Sequence, residues 1–219
     1  MHRKVWVSIG FCIVVGASVA LGAAEEQGKQ EVGERVELFN GKDLAGWKLF
    51  IPDGKVDPAT VWSVENGVVR CTGQPPGYMR TEQVYGNYKL RFEWRWPVKG
   101  GNSGLLLHIC GEDEVWPKSI EAQLEDEHAG DFWVIGGTDF KEHVNKDDRR
   151  VAKKHAHNEK EIGEWNTMEV VCKGNTIRVS VNGLLQNEAT EVTVTEGYIG
   201  FQSEGAPIEF RNIVLEPLK

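Results

Sequence analysis

The stretch that decides the fold runs from Asn166 to Leu185. It reads Asn166-Thr167-Met168-Glu169-Val170-Val171-Cys172-Lys173, then Gly174-Asn175, Thr176-Ile177-Arg178-Val179-Ser180-Val181, Asn182-Gly183 and Leu184-Leu185. Apolar residues alternate with polar ones on both arms, which is the period of a half-buried strand. Gly174-Asn175 and Asn182-Gly183 tolerate the positive φ angles that tight hairpin turns demand. The same signature recurs upstream. Val61-Trp62-Ser63-Val64-Glu65 and Val68-Val69-Arg70-Cys71 flank Asn66-Gly67, and Pro207 to Leu215 reads as a closing strand. No window of a dozen residues carries a helical period, and the 25 glycines punctuate the chain about every ten residues. Many short antiparallel strands at this spacing predict an all-β, two-sheet jelly-roll sandwich.

Length and composition agree. The chain has 219 residues, enough for one domain and a short appendage. It carries 25 Lys+Arg against 33 Asp+Glu, a net charge of −8. That balance argues against nucleic acid or an anionic membrane as partner, because such binding neutralises phosphates with Lys and Arg. A carbohydrate is the partner expected; the oligomeric state is left open.

Residues 1–24 have the layout of a secretory signal peptide. Arg3 and Lys4 lead an apolar run from Val5 to Val19, and small residues close it at Ala20, Gly22, Ala23 and Ala24. The run is short for a membrane span of about 20 residues, so no stable span is expected after cleavage. The chain is expected to be exported, to a periplasmic or extracellular location. Residues 25–35 form a polar leader, and 36–219 the domain. Cys12 leaves with the signal; Cys71, Cys110 and Cys172 lie in strand-like stretches and read as three buried thiols. No CxxC or HExxH spacing marks a zinc site.

Alternation also assigns side chains to faces. In Lys89 to Trp96 the apolar set is Leu90, Phe92, Trp94 and Trp96, leaving Arg91, Glu93 and Arg95 opposite. In Gly104 to Ile109, His108 opposes Leu105, Leu107 and Ile109; in Ser119 to Glu125, Glu121, Gln123 and Glu125 oppose Ile120, Ala122 and Leu124. If these strands are neighbours, one sheet surface holds Glu93, Arg95, His108, Glu121 and Gln123, a set suited to binding sugars or moving protons. An ordinary polar sheet face is the plain alternative.

The motifs Leu38-Phe39-Asn40-Gly41-Lys42-Asp43-Leu44-Ala45-Gly46-Trp47, Glu93-Trp94-Arg95, Asn102-Ser103-Gly104, Glu121-Ala122-Gln123, Glu164-Trp165-Asn166-Thr167, Val181-Asn182-Gly183, Ile199-Gly200-Phe201-Gln202 and Phe210-Arg211-Asn212-Ile213 resemble, in that order, those of the 3-keto-disaccharide hydrolase domain. The resemblance covers about Val36 to Leu218. It implies a concanavalin-like jelly-roll that cleaves glycosides whose C3 hydroxyl has been oxidised to a ketone. Such a ketone acidifies the C2 proton. Its removal, β-elimination of the C1 substituent and hydration give net hydrolysis.

That chemistry asks for a base, an acid at the leaving oxygen and a positive group at the ketone. The candidate catalytic residues are His108 or Glu121 as base and Arg95 as cation. Lys118 is an alternative cation, and a divalent ion held by His108 and Glu121 would serve equally. Glu93, Gln123 and Gln202 offer hydrogen bonds to hydroxyls; Trp116 and Trp133, read as loop residues, offer faces to a pyranose ring. Two other readings compete. A laminarinase-type glycosidase would use Glu121 and Glu125, about 13 Å apart on a regular strand, where a retaining pair needs about 5.5 Å between carboxyls. A non-catalytic carbohydrate-binding jelly-roll would need the aromatics and amides but no titrating pair. Finally, the charged stretch between Gly137 and Glu164 is long for a structureless loop and reads either as a lid bringing Lys or Arg to the substrate or as a solvated excursion.

Overall fold

The computed structural model describes residues 33–219; the expected signal peptide and most of the expected polar leader lie outside the described residues. Fifteen strands follow in order: β1 Val36–Glu37, β2 Trp47–Phe50, β3 Trp62–Glu65, β4 Val68–Cys71, β5 Gly77–Thr81, β6 Tyr88–Arg95, β7 Gly104–Ile109, β8 Ser119–Gln123, β9 Phe132–Ile135, β10 Arg150–Val151, β11 Asn166–Lys173, β12 Thr176–Val181, β13 Leu184–Ala189, β14 Tyr198–Ser203 and β15 Ile208–Pro217. Among the described residues the helical content is a single 3-10 turn, Pro58–Thr60.

The strands form two antiparallel sheets. One is ordered β13-β12-β11-β6-β15-β4-β3, with β1 added on β15; the other is β10-β9-β8-β7-β14-β5-β2. The hairpins read from sequence are present: β3 pairs β4 across Asn66-Gly67, β11 pairs β12, and β12 pairs β13 across Asn182-Gly183. Both Asn-Gly turns hold positive φ at both residues, 53° and 76° in the first and 48° and 84° in the second, the geometry that matches strand twist.

The core lies between the sheets. Phe201 of β14 meets Phe92 of β6 at 4.9 Å and Phe210 of β15 at 4.6 Å between ring centroids, and so joins the two layers. Cys71 and Cys172 are buried thiols, Cys110 is partly exposed, and none is paired. Burial pushes the Cys71 thiol up to about 11 and Cys172 up to about 12.

The seven-stranded sheet differs from an ordinary solvent-facing one. Every residue of β7 and β8 is buried, on both faces. Its outer face carries a second apolar cluster of Tyr78, Leu106, Ile109 and Ile135, against which Phe50 and Tyr198 pack. This face holds the site.

Candidate active site

Register lines up the outer face of the seven-stranded sheet in rows. One row runs Lys48, Arg80, Gly200, Leu106, Glu121, Trp133 and Arg150 across β2, β5, β14, β7, β8, β9 and β10. The next places Tyr78 beside Gln202, and Gly104 beside Gln123. Glu121, Gln123, Gln202 and Trp133 are therefore neighbours on one surface, drawn from the consecutive strands β8 and β9 and from the distant β14.

Glu121, Gln123 and Trp133 line a half-enclosed pocket of about 200 Å³ together with Asn102, Trp116, Ile135, Arg149 and Glu204, and Gln202 is buried beside it. The pocket floor depends on a missing side chain. A Cβ on Gly104 would collide with Oε1 of both Glu121 and Gln202, so glycine lets the two polar ends converge there.

Several buried polar atoms in and around this pocket have no protein partner. They are Glu121 Oε1, both amide atoms of Gln202, Asn102 Oδ1 and Trp133 Nε1. Leaving such groups unpaired costs about 1–3 kcal/mol each, and stable folds rarely accumulate them in one place. A polar ligand would satisfy them. Gln123 contributes differently: its Oε1 accepts from the backbone N–H of Leu124 and Glu125, both at 2.9 Å, leaving its NH₂ to donate.

The electrostatics are acidic. Burial, then the neighbouring Glu204, holds the Glu121 carboxyl well above the usual carboxylate range. Burial, then Glu125, pushes Glu204 up to about 7, while Arg149 pulls it back. Arg149 is exposed, its Cζ 5.6 Å from the Trp133 ring centre. Its carbonyl accepts from Val134 N–H at 3.0 Å, pinning that part of the insert to β9. The pocket thus combines one acid whose pKa burial raises, one poised near neutrality and one cation.

The structure separates the residues that alternation grouped. Glu93 and Arg95 are corrected: they lie on β6 of the other sheet, where Arg95 pairs with Glu209 at 2.7 Å and Glu93 with Arg211 at 2.6 Å. His108 is corrected too. It sits at φ 57° where the β7–β14 register shifts, an inserted residue that breaks the alternation. Leu106 and Ile109 consequently share the outer face, while the His108 ring lies edge-on to Tyr88 of the opposing sheet at 5.7 Å. Its Nδ1 is 3.0 Å from Val194 O, and burial lowers its pKa. His108 and Glu121 therefore offer no joint ligand set, and among the described residues no three His, Cys, Asp or Glu gather to hold a metal. Lys118 is an exposed residue beside Gly136, outside the pocket lining. Trp116 does lie in a loop, but Trp133 belongs to β9.

Sequence reasoning missed Glu204, Arg149 and Asn102. Glu204 had a signal: it follows Gln202 by two residues and so shares its parity. Asn102 makes isolated bridges with Glu204 and Gly205, which brings it to the same rim. Arg149 had none beyond its place in the charged insert.

A two-sheet jelly-roll with a polar, aromatic-flanked pocket on one face is an architecture that glycosyl hydrolases and carbohydrate-binding modules share. Within that class the chain belongs to the 3-keto-alpha-glucoside-1,2-lyase-like domain family, whose model matches residues 34–216. It is 23% identical to a 3-keto-disaccharide hydrolase of Bacteroides thetaiotaomicron over 257 aligned positions, covering 94% of this chain and 87% of the relative. A crystal structure of a candidate glycosyl hydrolase from Parabacteroides distasonis superposes with a TM-score of 0.63 at 22% identity, covering 84% of this chain and 94% of that one. A carbohydrate-binding module from Bacillus subtilis shares the fold at a TM-score of 0.55 and 10% identity, covering 77% and 93%. Among the described residues no helix is long and apolar enough to cross a membrane.

Proposed function

We propose that the chain is an exported enzyme that cleaves glycosides carrying a ketone at C3, with Glu121 and Glu204 as its working acids. The observation that carries this reading is the pair of carboxyls, both shifted upward, facing one pocket with unpaired amides. A binding module needs no such pair, whereas acid–base catalysis needs groups whose pKa values are set apart.

In the proposed reaction Glu204, ionised near neutral pH, takes the C2 proton. The electrons form a C1=C2 double bond as the C1–O bond breaks, and protonated Glu121 supplies the proton to the departing oxygen. Water then adds: its hydroxyl goes to C1, its proton returns to Glu121, and Glu204 gives its proton back to C2. The sum is hydrolysis, and both acids end as they began. Arg149 faces the negative charge that develops on the ketone oxygen, the role that sequence reading gave to Arg95 or Lys118. Gln202, Asn102 and the NH₂ of Gln123 meet hydroxyls. Trp116 and Trp133 flank the ring.

Incubating the purified chain with 3-keto-glucosides and with unmodified glucosides, with and without chelator, tests the proposal. Aglycone release from the keto sugars alone, lost in Glu121→Gln and Glu204→Gln, supports it. Saturable binding of unmodified oligosaccharide with no turnover of either class would assign the domain to sugar binding instead.

A further inference from the structure

Between β7 and β8 the chain leaves the sheet for the segment 111–118, which carries Trp116 to the pocket mouth at 40% exposure. Among the described residues, the side-chain hydrogen bonds that tie 111–116 to the sheet all run through the Asp113 carboxylate. Its Oδ1 accepts from Tyr78 Oη at 2.8 Å and Arg80 Nε at 3.0 Å, and its Oδ2 accepts from Lys48 Nζ at 2.6 Å. These contacts hold the Asp113 carboxyl far below the usual carboxylate range against the opposing effect of burial. Arg80 is itself fixed, its Cζ 3.9 Å from the Tyr198 ring centre.

Such a concentration of charge on a loop residue outside the pocket calls for a reason. Charge-assisted bonds from two cations and a buried hydroxyl define the position of the acceptor closely. Three residues farther along is the Trp116 indole, and the chain beyond it is held by Pro117, whose carbonyl accepts from Ser119 Oγ at 2.8 Å, so that Asp113 anchors the segment on the other side of the indole. Tyr78, which grips the carboxylate, also stands beside Gln202 in register, so the anchor and the pocket floor share one strand pair.

We infer that Asp113 is a positioning residue: it clamps the 111–118 segment to β2 and β5 so that Trp116 stands ready as one wall of the sugar pocket. The inference rests on the proposed function in that it takes the pocket to bind a sugar ring. It concerns affinity rather than bond cleavage, because Asp113 touches none of the reacting groups. A preset aromatic wall spares the ordering of a loop when the substrate binds.

The test uses Asp113→Ala, Asp113→Asn, Trp116→Ala and the Asp113→Ala/Trp116→Ala double variant of the full chain, with KM and kcat for a 3-keto-glucoside. Expected are a KM raised about tenfold in either alanine variant, the size of one lost aromatic contact, and kcat within about twofold. Asp113→Asn, which keeps an acceptor for Tyr78, falls between. The double variant matches Trp116→Ala alone. Equal KM losses that multiply in the double variant, or a fall in kcat with KM intact, would overturn the inference. Hydrogen exchange of segment 111–116, read on the same proteins, separates this idea from the substrate assignment. A parental chain inactive on all keto sugars sinks the assignment, whereas exchange unchanged by Asp113→Ala sinks the clamp, whatever the activity.

Discussion

Replacing Glu204 by Gln is expected to make the protein more heat-stable above neutral pH and no more stable in acid. The Glu204 carboxyl ionises near 4.5 when free and near 7 in the folded chain. Between those values the folded state holds a proton that the unfolded state has released. Stability therefore falls as pH rises through this window and levels off above it. A shift of two to three units corresponds to about 3 kcal/mol at full strength. Glu204 is only partly buried, and solvent screening reduces this to about 1 kcal/mol. For a domain of this size that is a Tm gain of about 2–4 °C. The gain should be clear near pH 8 and vanish near pH 4, where both states are protonated. Removing Glu204 also relieves Glu121, whose carboxyl it pushes upward, so the sign is reinforced. Thermal melts of parent and variant across that pH range are the assay. A Tm difference that is the same at both ends, or negative near pH 8, would refute the burial argument for this acid.

If Glu204 is the base, turnover of a keto-glucoside should climb about tenfold per pH unit up to its plateau near 7, since only the ionised form takes a proton. Arg149→Gln removes the charge that favours ionised Glu204, so the same limb should move to higher pH, by about half a unit to one unit for a screened charge. Gly104→Ala should lower turnover by about a hundredfold or more while costing at most about 3 kcal/mol in stability, because its Cβ displaces two side-chain ends rather than backbone; urea titration beside the rate measurement separates the two effects. Arg95→Gln should leave turnover within about twofold, as Arg95 pairs with Glu209 on the far sheet.

What sequence could and could not disclose divides along a physical line. Local signals were sufficient where strands are joined by tight turns: β4, β11 and β12 have the limits that alternation and the turns gave them, and β3 begins one residue later, at Trp62. Parity on a strand also put Glu121 and Gln123 on a common face. Parity does not say which sheet a strand joins, because that is settled by pairing between distant segments. So β6, adjacent in sequence to β7, went to the opposite layer and took Glu93 and Arg95 with it. His108 was misplaced for a different reason. One residue with left-handed backbone resets the parity of everything beyond it, and nothing in Leu107-His108-Ile109 announces it. Arg149 belongs to the charged insert, whose path depends on β10 pairing with β9 and on His143 bonding Asp139 and the Asp148 carbonyl.

The row across the seven-stranded sheet fixes when the pocket comes into being. Glu121, Arg149 and Glu204 enter it from β8, the insert before β10 and the end of β14, and the floor between them closes only when β14 slots between β7 and β5. A chain growing from its N-terminus thus has its first acid and its cation long before it owns the second acid. Until the penultimate strand docks there is no shared hollow for the two carboxyls to face.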